Sequence, residues 1–488
     1  MSIFNNNLLA GAAAQGGTTP VHTIDQSIRF NDDDSGRMGR TPGSASNRRT
    51  WTFSVWIKRG NLDSSGFKFI FSRAEASVAA YIGFYQDDFT YAAASGSVEI
   101  NLITDRKFRD PSAWYHIVVV QDTTNVVASE RVRIYVNGTR ETSFSTETYP
   151  ALNYQGYFNT TSLHDIGVSR PSGSISGYFD GYMAEIVFID GQALDPSSFG
   201  EYNSSGIWIP KDVSDLTFGT NGFHIDGRDS ADLGDDESGN GNDFTTSGLA
   251  AHDQVADSPS NNFCTLNPIY RGTGSQYGVQ ENGNLELKFS GSQNAGQVCT
   301  QLFTTGKWYW EMRVKAGGGS ANYFLSSGIA AVNDGYVKSD TNMHGTVTGE
   351  IGVNSYDGKV RFANSVTKTY TEVPFADGDI LQVAVDTDNG AIYYGKNGTF
   401  MGSGDPASGA SKTNAGATWT PASYSGGWVP TAGALGGSVP IVTMNFGQEG
   451  TFSGGTTAGG NSDGNGVGNF KYSVPSGFLA LCTKNLGS

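Results

Sequence analysis

The sequence is poor in cysteine and in long apolar runs. Its three cysteines, Cys264, Cys299 and Cys482, are odd in number and share no short spacing, so they indicate neither a disulfide framework nor a zinc site. Such a chain is able to mature in a reducing cytosol. No stretch approaches the run of apolar residues that spans a bilayer, so membrane insertion is not expected.

Charge is also scarce and unbalanced. Charged residues are only 16% of the 488-residue chain, with Lys plus Arg 31 against Asp plus Glu 47 and a net charge of -16. No basic stripe is visible, and nucleic acids and anionic membranes both need clustered cations. Neither is therefore expected as a partner, and the acidity itself fits ordinary solubility.

What the sequence does contain is glycine, aromatic residues and strand patterns. The chain has 66 glycines and is 12% aromatic, a balance typical of a turn-rich all-β protein. Apolar and polar residues alternate over 53–57 and 132–136, as a strand with one buried face requires. Asn137-Gly138 is a strong hairpin signal, and the Ile-Val-Val-Val run at 117–120 predicts a strand buried on both sides.

Four segments differ in composition. Strand and turn patterns fill 23–200 and return over 264–488, so each is predicted to be an antiparallel β-sandwich. Between them, 201–263 is acidic and rich in Gly and Asn, which predicts a weakly structured connector. Its carboxylates leave a calcium site open, although their spacing does not match the Asp-x-Asp-x-Asp-Gly loop.

Residues 1–22 form a polar, Ala/Gly-rich arm with too little bulk to fold alone. Its apolar residues Ile3, Phe4, Leu8 and Leu9 stay exposed unless something else covers them. A frayed tail is one interpretation, and docking into a larger assembly is the other. The N-terminus lacks the basic and apolar regions of a signal peptide, so release by lysis is expected rather than secretion.

Four ordered segments of the first half carry a family resemblance. They are Trp-Thr-Phe-Ser-Val-Trp-Ile-Lys at 51–58, Trp-Tyr-His-Ile-Val-Val-Val-Gln at 114–121, Arg-Val-Arg-Ile-Tyr-Val-Asn-Gly at 131–138, and the Gly-Tyr-Met-Ala-Glu-Ile strand within 177–191. In this order they resemble the laminin G-like branch of the concanavalin superfamily. The resemblance implies a jelly-roll sandwich that can hold calcium at its rim.

The second half resembles the SPRY domain. The matching segments are Gly-Lys-Trp-Tyr-Trp-Glu at 306–311, Ile-Gly-Val at 351–353, Val-Ala-Val-Asp at 383–386, the Tyr-x-Lys-Asn-Gly hairpin at 394–398, Trp-Val-Pro at 428–430 and Asn-Phe-Gly at 445–447. SPRY domains recognise partners through loops at one end of the sandwich. The resemblance therefore implies Tyr336, Tyr356 and Trp428 as ligand-stacking aromatics, with core capping as the alternative.

The combination of the two halves resembles structural proteins of tailed bacteriophages. The Asn-Asn-x-Leu-Ala-Gly-Ala start, the Gly-Ile-Trp-Ile-Pro-Lys segment at 206–211 and the closing segment at 472–482 complete that likeness. It implies a virion fibre or capsid decoration, made in the host cytoplasm and anchored to other virion proteins by the arm. A homo-oligomer is expected, with a trimer favoured.

Catalytic patterns are missing. Glycosidases of the concanavalin fold resemble one another in a Glu-x-Asp-x-x-Glu strand that sets two carboxylates across a cleft, and this chain lacks it. Glu185 and Glu311 are single strand carboxylates, expected at outward or edge positions, and His116 is expected to be a satisfied strand residue. We therefore predict no catalytic residues and a non-enzymatic binder of a host-surface glycan or protein. The alternatives are a capsular polysaccharide depolymerase and a purely architectural capsid-stabilising protein.

Overall fold

A computed structural model describes most of the chain. The described residues are 22–60, 62, 66–75, 78–170, 173–269, 278–289, 295–317, 324–332, 349–435 and 440–487. They form two compact units, which meet in the sequence between Ser260 and Asn261. Within these ranges no helix is long and apolar enough to cross a membrane. The arm residues Ile3, Phe4, Leu8 and Leu9 lie outside the described residues, and their anchoring role stays a prediction.

The first unit is built from eighteen described strands. These are β1 Ser27–Phe30, β2 Arg37–Arg40, β3 Thr50–Arg59, β4 Phe67–Glu75, β5 Val78–Tyr85, β6 Asp88–Ser95, β7 Ser97–Lys107, β8 Trp114–Asp122, β9 Val132–Val136, β10 Thr139–Arg140, β11 Phe144–Thr148, β12 His164–Ile166, β13 Gly181–Asp190, β14 Gly200–Tyr202, β15 Trp208–Pro210, β16 Phe223–Ile225, β17 Thr245–Ser247 and β18 Gln254–Val255. Short 3₁₀ turns lie at Ala128–Glu130, Pro196–Ser198 and Ala251–Asp253.

Two antiparallel sheets form the first sandwich. One has the order β10-β9-β8-β3-β13-β1-β18, with β16 also paired to β13, and the other has the order β11-β7-β6-β5-β4-β12-β2-β17. The alternating residues of β3 and β8, such as Phe53 and Ile117, meet Ile82 and Leu102 of the second sheet in one buried cluster. The predicted turn at Asn137-Gly138 is confirmed, because both residues have positive φ, at 49° and 74°.

The strand predicted to be buried on both sides has this property. Ile117 and Val119 lie in the core between the sheets. Val118 and Val120 face the other way and pack in a second apolar cluster with Phe199 and other residues of the chain that follows β13. The first sheet is therefore covered on both faces.

The segment 201–263 differs from the predicted weakly structured connector. Up to Ser260 it belongs to the first compact unit, where β14 and β15 form a hairpin, β16 and β18 join the first sheet and β17 joins the second. Trp208 of β15 packs against the first sheet and donates a 2.9 Å hydrogen bond from Nε1 to His116 Nδ1. These long-range pairings order a segment whose local composition predicts only loops.

The second unit contains fifteen described strands. These are β19 Gly278–Glu281, β20 Glu286–Phe289, β21 Ala295–Val298, β22 Lys307–Ala316, β23 Phe324–Ala331, β24 Glu350–Asn354, β25 Lys359–Phe362, β26 Ser365–Thr369, β27 Ile380–Asp386, β28 Ala391–Lys396, β29 Thr399–Phe400, β30 Ala417–Thr418, β31 Trp428–Leu435, β32 Ile441–Asn445 and β33 Leu479–Ala480. It also has 3₁₀ turns at Met401–Ser403, Pro406–Ser411 and Pro421–Tyr424 and one helical turn, α1, at Thr483–Leu486.

These strands form a second sandwich of two sheets. One has the order β19-β20-β32-β22-β27-β28-β29, with β30 paired to β28 and β33 to β22, and the other has the order β21-β31-β23-β24-β25-β26. Trp310 of β22 and Val383 of β27 pack against Ile329 and Ile351 of the other sheet. The expected fold, two tandem antiparallel β-sandwiches, is therefore confirmed.

Candidate binding site

An open cleft of about 670 Å³ lies on the second sheet of the first unit, where β4 and β5 run side by side. Its lining includes Phe67, Phe69, Tyr81 and Tyr178. The Phe67 ring centroid lies 5.2 Å from that of Tyr81 and 5.5 Å from that of Phe69. This cluster, Phe67, Phe69, Tyr81 and Tyr178, is called the aromatic cleft.

A β-bulge in β4 separates the ring of Phe69 from that of Phe71. In the pairing of β4 with β5, Phe69 lies opposite Gly83 and Phe71 lies opposite Ile82, so Ile70 is an extra residue. A bulge changes the face toward which the following side chains point. Phe71 consequently packs in the core, whereas Phe69 lines the cleft. Without the extra residue, the two rings would share one face.

The opposite wall is a loop that approaches the rings closely. Ser169 and Ser176 pair through two backbone hydrogen bonds of 3.1 and 2.9 Å, which holds Tyr178 beside the cleft. Gly177 has a φ of 64°, and a Cβ there would lie 2.5 Å from the Phe69 ring. Only glycine fits this close approach of backbone to ring.

Polar groups border the aromatic surface. Asp32 and Asp33 line the cleft, and Lys68 Nζ lies 2.8 Å from Asp32 Oδ2. Burial raises the pKa of Tyr81, which therefore stays a neutral hydroxyl. Phe67, Tyr81 and Tyr178 are half-buried, whereas Phe69 is 5% exposed and supports them from below. Half-buried rings bordered by carboxylate and hydroxyl groups can stack on an apolar face of a ligand and hydrogen-bond its polar edge.

The aromatic residues of the second unit that were predicted to stack on a ligand differ in their surroundings. Trp428 is 1% exposed, and its ring packs against Trp419 and Tyr424 with centroids 5.0 and 4.7 Å away. It is therefore a core residue and not a ligand-stacking one, because its face is already covered. Tyr356 is half-buried in the turn after β24, and its ligand role stays a prediction. Tyr336 lies outside the described residues.

Glu311 faces outward from the core of the second sandwich, as expected, but it is fully buried. Its Oε1 accepts hydrogen bonds from the Tyr309 hydroxyl and the backbone N–H of Tyr472, and its Oε2 accepts from Lys471 N–H and Asn445 Nδ2. Burial raises the pKa of Glu311, and these hydrogen bonds oppose the rise. The carboxylate therefore fastens residues 471–472 over β22, a contact that local sequence does not predict.

Glu185 is also buried, and it occupies a second bulge. Its φ is 48°, and the pairing of β13 with β3 shifts between Ala184 and Val187. Its Oε2 lies 2.7 Å from His224 Nε2. Burial lowers the pKa of His224, but the hydrogen bond and charge of Glu185 outweigh this and raise it. The expected outward or edge position is therefore corrected: Glu185 is 6% exposed and is hydrogen-bonded to His224.

His116 is a satisfied strand residue, as predicted. Its Nε2 lies 2.8 Å from Ser54 Oγ, and its Nδ1 accepts from Trp208 Nε1. Because Nδ1 accepts, the neutral ring carries its proton on Nε2 and donates it to Ser54. Burial lowers the pKa of His116 to about 3. Both ring nitrogens are already engaged in hydrogen bonds to protein groups, which leaves neither for acid-base chemistry.

The carboxylates of the acidic segment accept hydrogen bonds from backbone N–H groups of the same segment. Asp226, Asp229, Asp232 and Asp236 each accept a hydrogen bond from the N–H two residues ahead. Across the described ranges, no group of three or more His, Cys, Asp or Glu side chains is arranged to hold a metal ion. In this segment, the clustering of acids follows from turn formation.

Sequence reasoning did not identify the aromatic cleft. The alternation of Phe67, Phe69 and Phe71 predicts one shared face, and nothing local marks Ile70 as an extra residue. The order of strands β4, β12 and β2 and the approach of the loop with Gly177 are long-range features. The richness in aromatic residues was the one available signal.

The comparisons with known proteins match the two sandwiches separately. Residues 33–197 match the concanavalin A-like lectin/glucanases superfamily, and residues 307–418 match the SPRY domain. The comparison with curated proteins found no match.

Three similar solved structures are each 16% identical to this chain. The SPRY domain of human HERC1 aligns over 37% of this chain and 96% of its own, with a TM-score of 0.28. A heptameric SAP-like pentraxin from Limulus polyphemus covers 36% and 79%, with a TM-score of 0.27. The TRIM65 PSpry domain covers 38% and 92%, with a TM-score of 0.26. From the sheets and the two family matches together, the chain carries a concanavalin A-like domain followed by a SPRY domain, both folds of binding type.

Proposed function

We propose that this protein is a non-enzymatic component of a bacteriophage virion, a fibre or capsid decoration, that binds a host-surface glycan in the aromatic cleft. The observation that carries the binding role is the outward cluster of Phe67, Tyr81 and Tyr178, which is supported by the buried ring of Phe69. A sugar ring has an apolar face and a polar edge. Aromatic faces bordered by hydroxyl and carboxylate groups complement both.

The arrangement of carboxylates favours binding over cleavage. Glycoside hydrolysis uses two carboxyl groups on opposite sides of the scissile bond. Asp32 and Asp33 of the cleft are consecutive residues and come from one wall. Glu185 and Glu311 are buried in hydrogen bonds to protein groups. These observations make the alternative, a capsular polysaccharide depolymerase, the weaker proposal.

The virion part of the proposal is supported by sequence. The start of the chain, its 206–211 segment and its closing segment together resemble tailed-phage structural proteins, and Ile3, Phe4, Leu8 and Leu9 supply an apolar anchor for other virion proteins. A homo-oligomer, with a trimer favoured, would present several clefts at once and bind by avidity. The protein would be made in the host cytoplasm and released by lysis.

Host capsular polysaccharide provides the test. The full chain should be retained on immobilised polysaccharide, and Tyr178→Ala should weaken binding about fivefold, since one aromatic stacking contact is worth roughly 1 kcal/mol. Tyr202→Ala is the matched control, because Tyr202 is 55% exposed and lies on β14, away from the cleft.

Reducing ends measured in the same samples separate the alternatives. Binding without new reducing ends supports the proposal, and new reducing ends would establish the depolymerase. Full incorporation into particles without any polysaccharide binding would favour the architectural protein instead.

A further inference from the structure

A second open pocket, of about 690 Å³, lies on the same sheet as the aromatic cleft, two strands away, and three arginines line it. These are Arg37, Arg40 and Arg170, and Asp243 is the acidic residue of the lining. This set is called the arginine pocket. Asp165 pairs with Arg170, and Asp236 and Asp243 lie near Arg40. Arg37 is therefore the arginine of this pocket whose charge is left for an anionic ligand.

A missing side chain forms the floor of the arginine pocket. Gly39 of β2 lies directly opposite Asp165 of β12 on one side and Thr245 of β17 on the other. Directly paired residues point to the same side of a sheet, so a depression opens between their side chains. A Cβ at Gly39 would lie 3.3 Å from Asp165 Oδ1 and 3.4 Å from Leu163 Cδ1.

Arg37 and Arg170 both line the pocket and have different partners. Arg170 is held by Asp165 through Nε–Oδ2 and Nη2–Oδ1 hydrogen bonds of 2.8 and 3.0 Å. Arg37 donates from Nη1 to the backbone oxygen of Ser35 at 3.1 Å. Among the ion pairs of the described residues, none joins Arg37 to a carboxylate. Its guanidinium therefore retains donors for a ligand.

Arg40 lines the same pocket but lies near carboxylates. Its Nη2 contacts Asn242 Oδ1, a neutral partner. Burial lowers the pKa of Arg40, and the charges of Asp236 and Asp243 counter this only partly. Asp243 is itself engaged, since its Oδ1 accepts the backbone N–H of Asp236 at 3.1 Å. The charge of Arg40 is thus compensated by protein carboxylates, and Arg37 supplies the donors left for an anion.

The aromatic cleft and the arginine pocket are close enough for one ligand. They border β4 and β2, which are separated only by β12, so these two strands lie roughly 10 Å apart at the usual strand spacing. A polymer of sugar units can therefore span both sites.

We infer that the arginine pocket binds the carboxylate of an acidic sugar in the glycan that lies across the aromatic cleft. The inference rests on the proposed glycan-binding function and names its substrate class as a uronate-containing polysaccharide. A guanidinium presents two parallel N–H donors that match a planar carboxylate. The hydroxyls of Thr245 and Ser247 would border the same sugar unit.

Titration calorimetry with two matched ligands tests this inference. The ligands are an oligogalacturonate and its methyl ester, which share one backbone and differ in charge. The full chain should bind the acid at least tenfold tighter than the ester. Arg37→Gln should remove about tenfold of the affinity for the acid, the value of one charge-assisted hydrogen bond, and leave binding of the ester unchanged.

Two further variants serve as controls. Arg37→Lys keeps the positive charge but lacks the two parallel N–H donors of the guanidinium, so its loss of affinity for the acid should be intermediate. Arg109→Gln changes a 64%-exposed arginine whose partner is Asp87, outside the pocket lining, and should change nothing. Circular dichroism should give the same strand-type spectrum for all variants.

Equal affinity of the wild type for acid and ester, or a retained acid preference in Arg37→Gln, would overturn the inference. So would a failure of the wild type to bind either oligomer. The proposed function is judged separately, by host polysaccharide and Tyr178→Ala. Retention that depends on Tyr178 with no preference for the acid would leave the glycan-binding role standing and remove the arginine pocket from it.

Discussion

Replacing Glu311 by Gln should destabilise the second unit without affecting any glycan chemistry. Glu311 is fully buried on β22, and each of its two oxygens accepts two hydrogen bonds. An amide offers one acceptor oxygen and one NH2 group. No orientation of the glutamine amide can therefore satisfy all four donors.

The magnitude follows from the least costly orientation. With the amide nitrogen at the Oε1 position, the Tyr309 hydroxyl can turn and accept, but the backbone N–H of Tyr472 loses its acceptor. A buried donor left unsatisfied costs about 1–3 kcal/mol. The neutral amide avoids the burial cost that raises the pKa of Glu311, which offsets part of this. We expect a net loss of about 2 kcal/mol, or roughly 4–8 °C in melting temperature.

Differential scanning calorimetry of the full chain measures this loss. Glu372→Gln is the matched control, because the Glu372 carboxylate also accepts backbone N–H groups, from Gly402 and Thr371, but lies exposed to water. Its effect should stay within about 0.5 kcal/mol. An unchanged transition in Glu311→Gln would refute the hydrogen-bond network. A large, specific loss of a glycan-cleaving activity in a stable Glu311→Gln protein would refute its structural role.

Three other predictions concern acid, metal and assembly. Burial lowers the pKa of both His116 and His164 to about 3 from 6.5, so the stability that depends on their neutral rings is present above pH 6.5 and is lost as pH falls toward 3. Within that window, each buried ring lowers the free energy of unfolding by about 1.4 kcal/mol per pH unit as the pH falls. The melting temperature of His116→Gln should therefore fall less steeply with pH than that of the wild type. An equally steep fall would contradict the buried neutral state of His116. Chelation by EDTA should leave the melting temperature unchanged, because the carboxylates of the acidic segment accept hydrogen bonds from backbone N–H groups. A drop of several degrees would establish a bound calcium ion. Deleting residues 1–22 should preserve the circular dichroism spectrum and abolish incorporation into particles, since each docked apolar side chain contributes roughly 1.5–3 kcal/mol; normal incorporation would move the anchor to a sandwich face.

The strands and turns could be predicted because their signals are local. Alternation over 53–57 places Phe53 in the core, and the positive φ of Asn137 and Gly138 is a property of those residue types. The run at 117–120 needed only its own composition to indicate burial on both faces. Both family resemblances rest on such ordered strands.

The binding surface could not be predicted because it depends on strand register and on which side chains are covered by residues distant in the sequence. The extra residue Ile70 separates Phe69 from Phe71, and the bulge at Glu185 turns that carboxylate toward His224. Trp428 resembles a loop aromatic in sequence, yet Trp419 and Tyr424 cover it in the fold. Such contacts join residues from distant parts of the chain, where alternation and spacing carry no information.

The most direct test of the central claim is a crystal structure of the chain bound to an oligosaccharide from the host surface. The account predicts an intact, uncleaved sugar chain stacked on Phe67 and Tyr81, with a carboxylate of the next units facing Arg37. An oligosaccharide bound only in the second unit, or cleaved in the crystal, would contradict it.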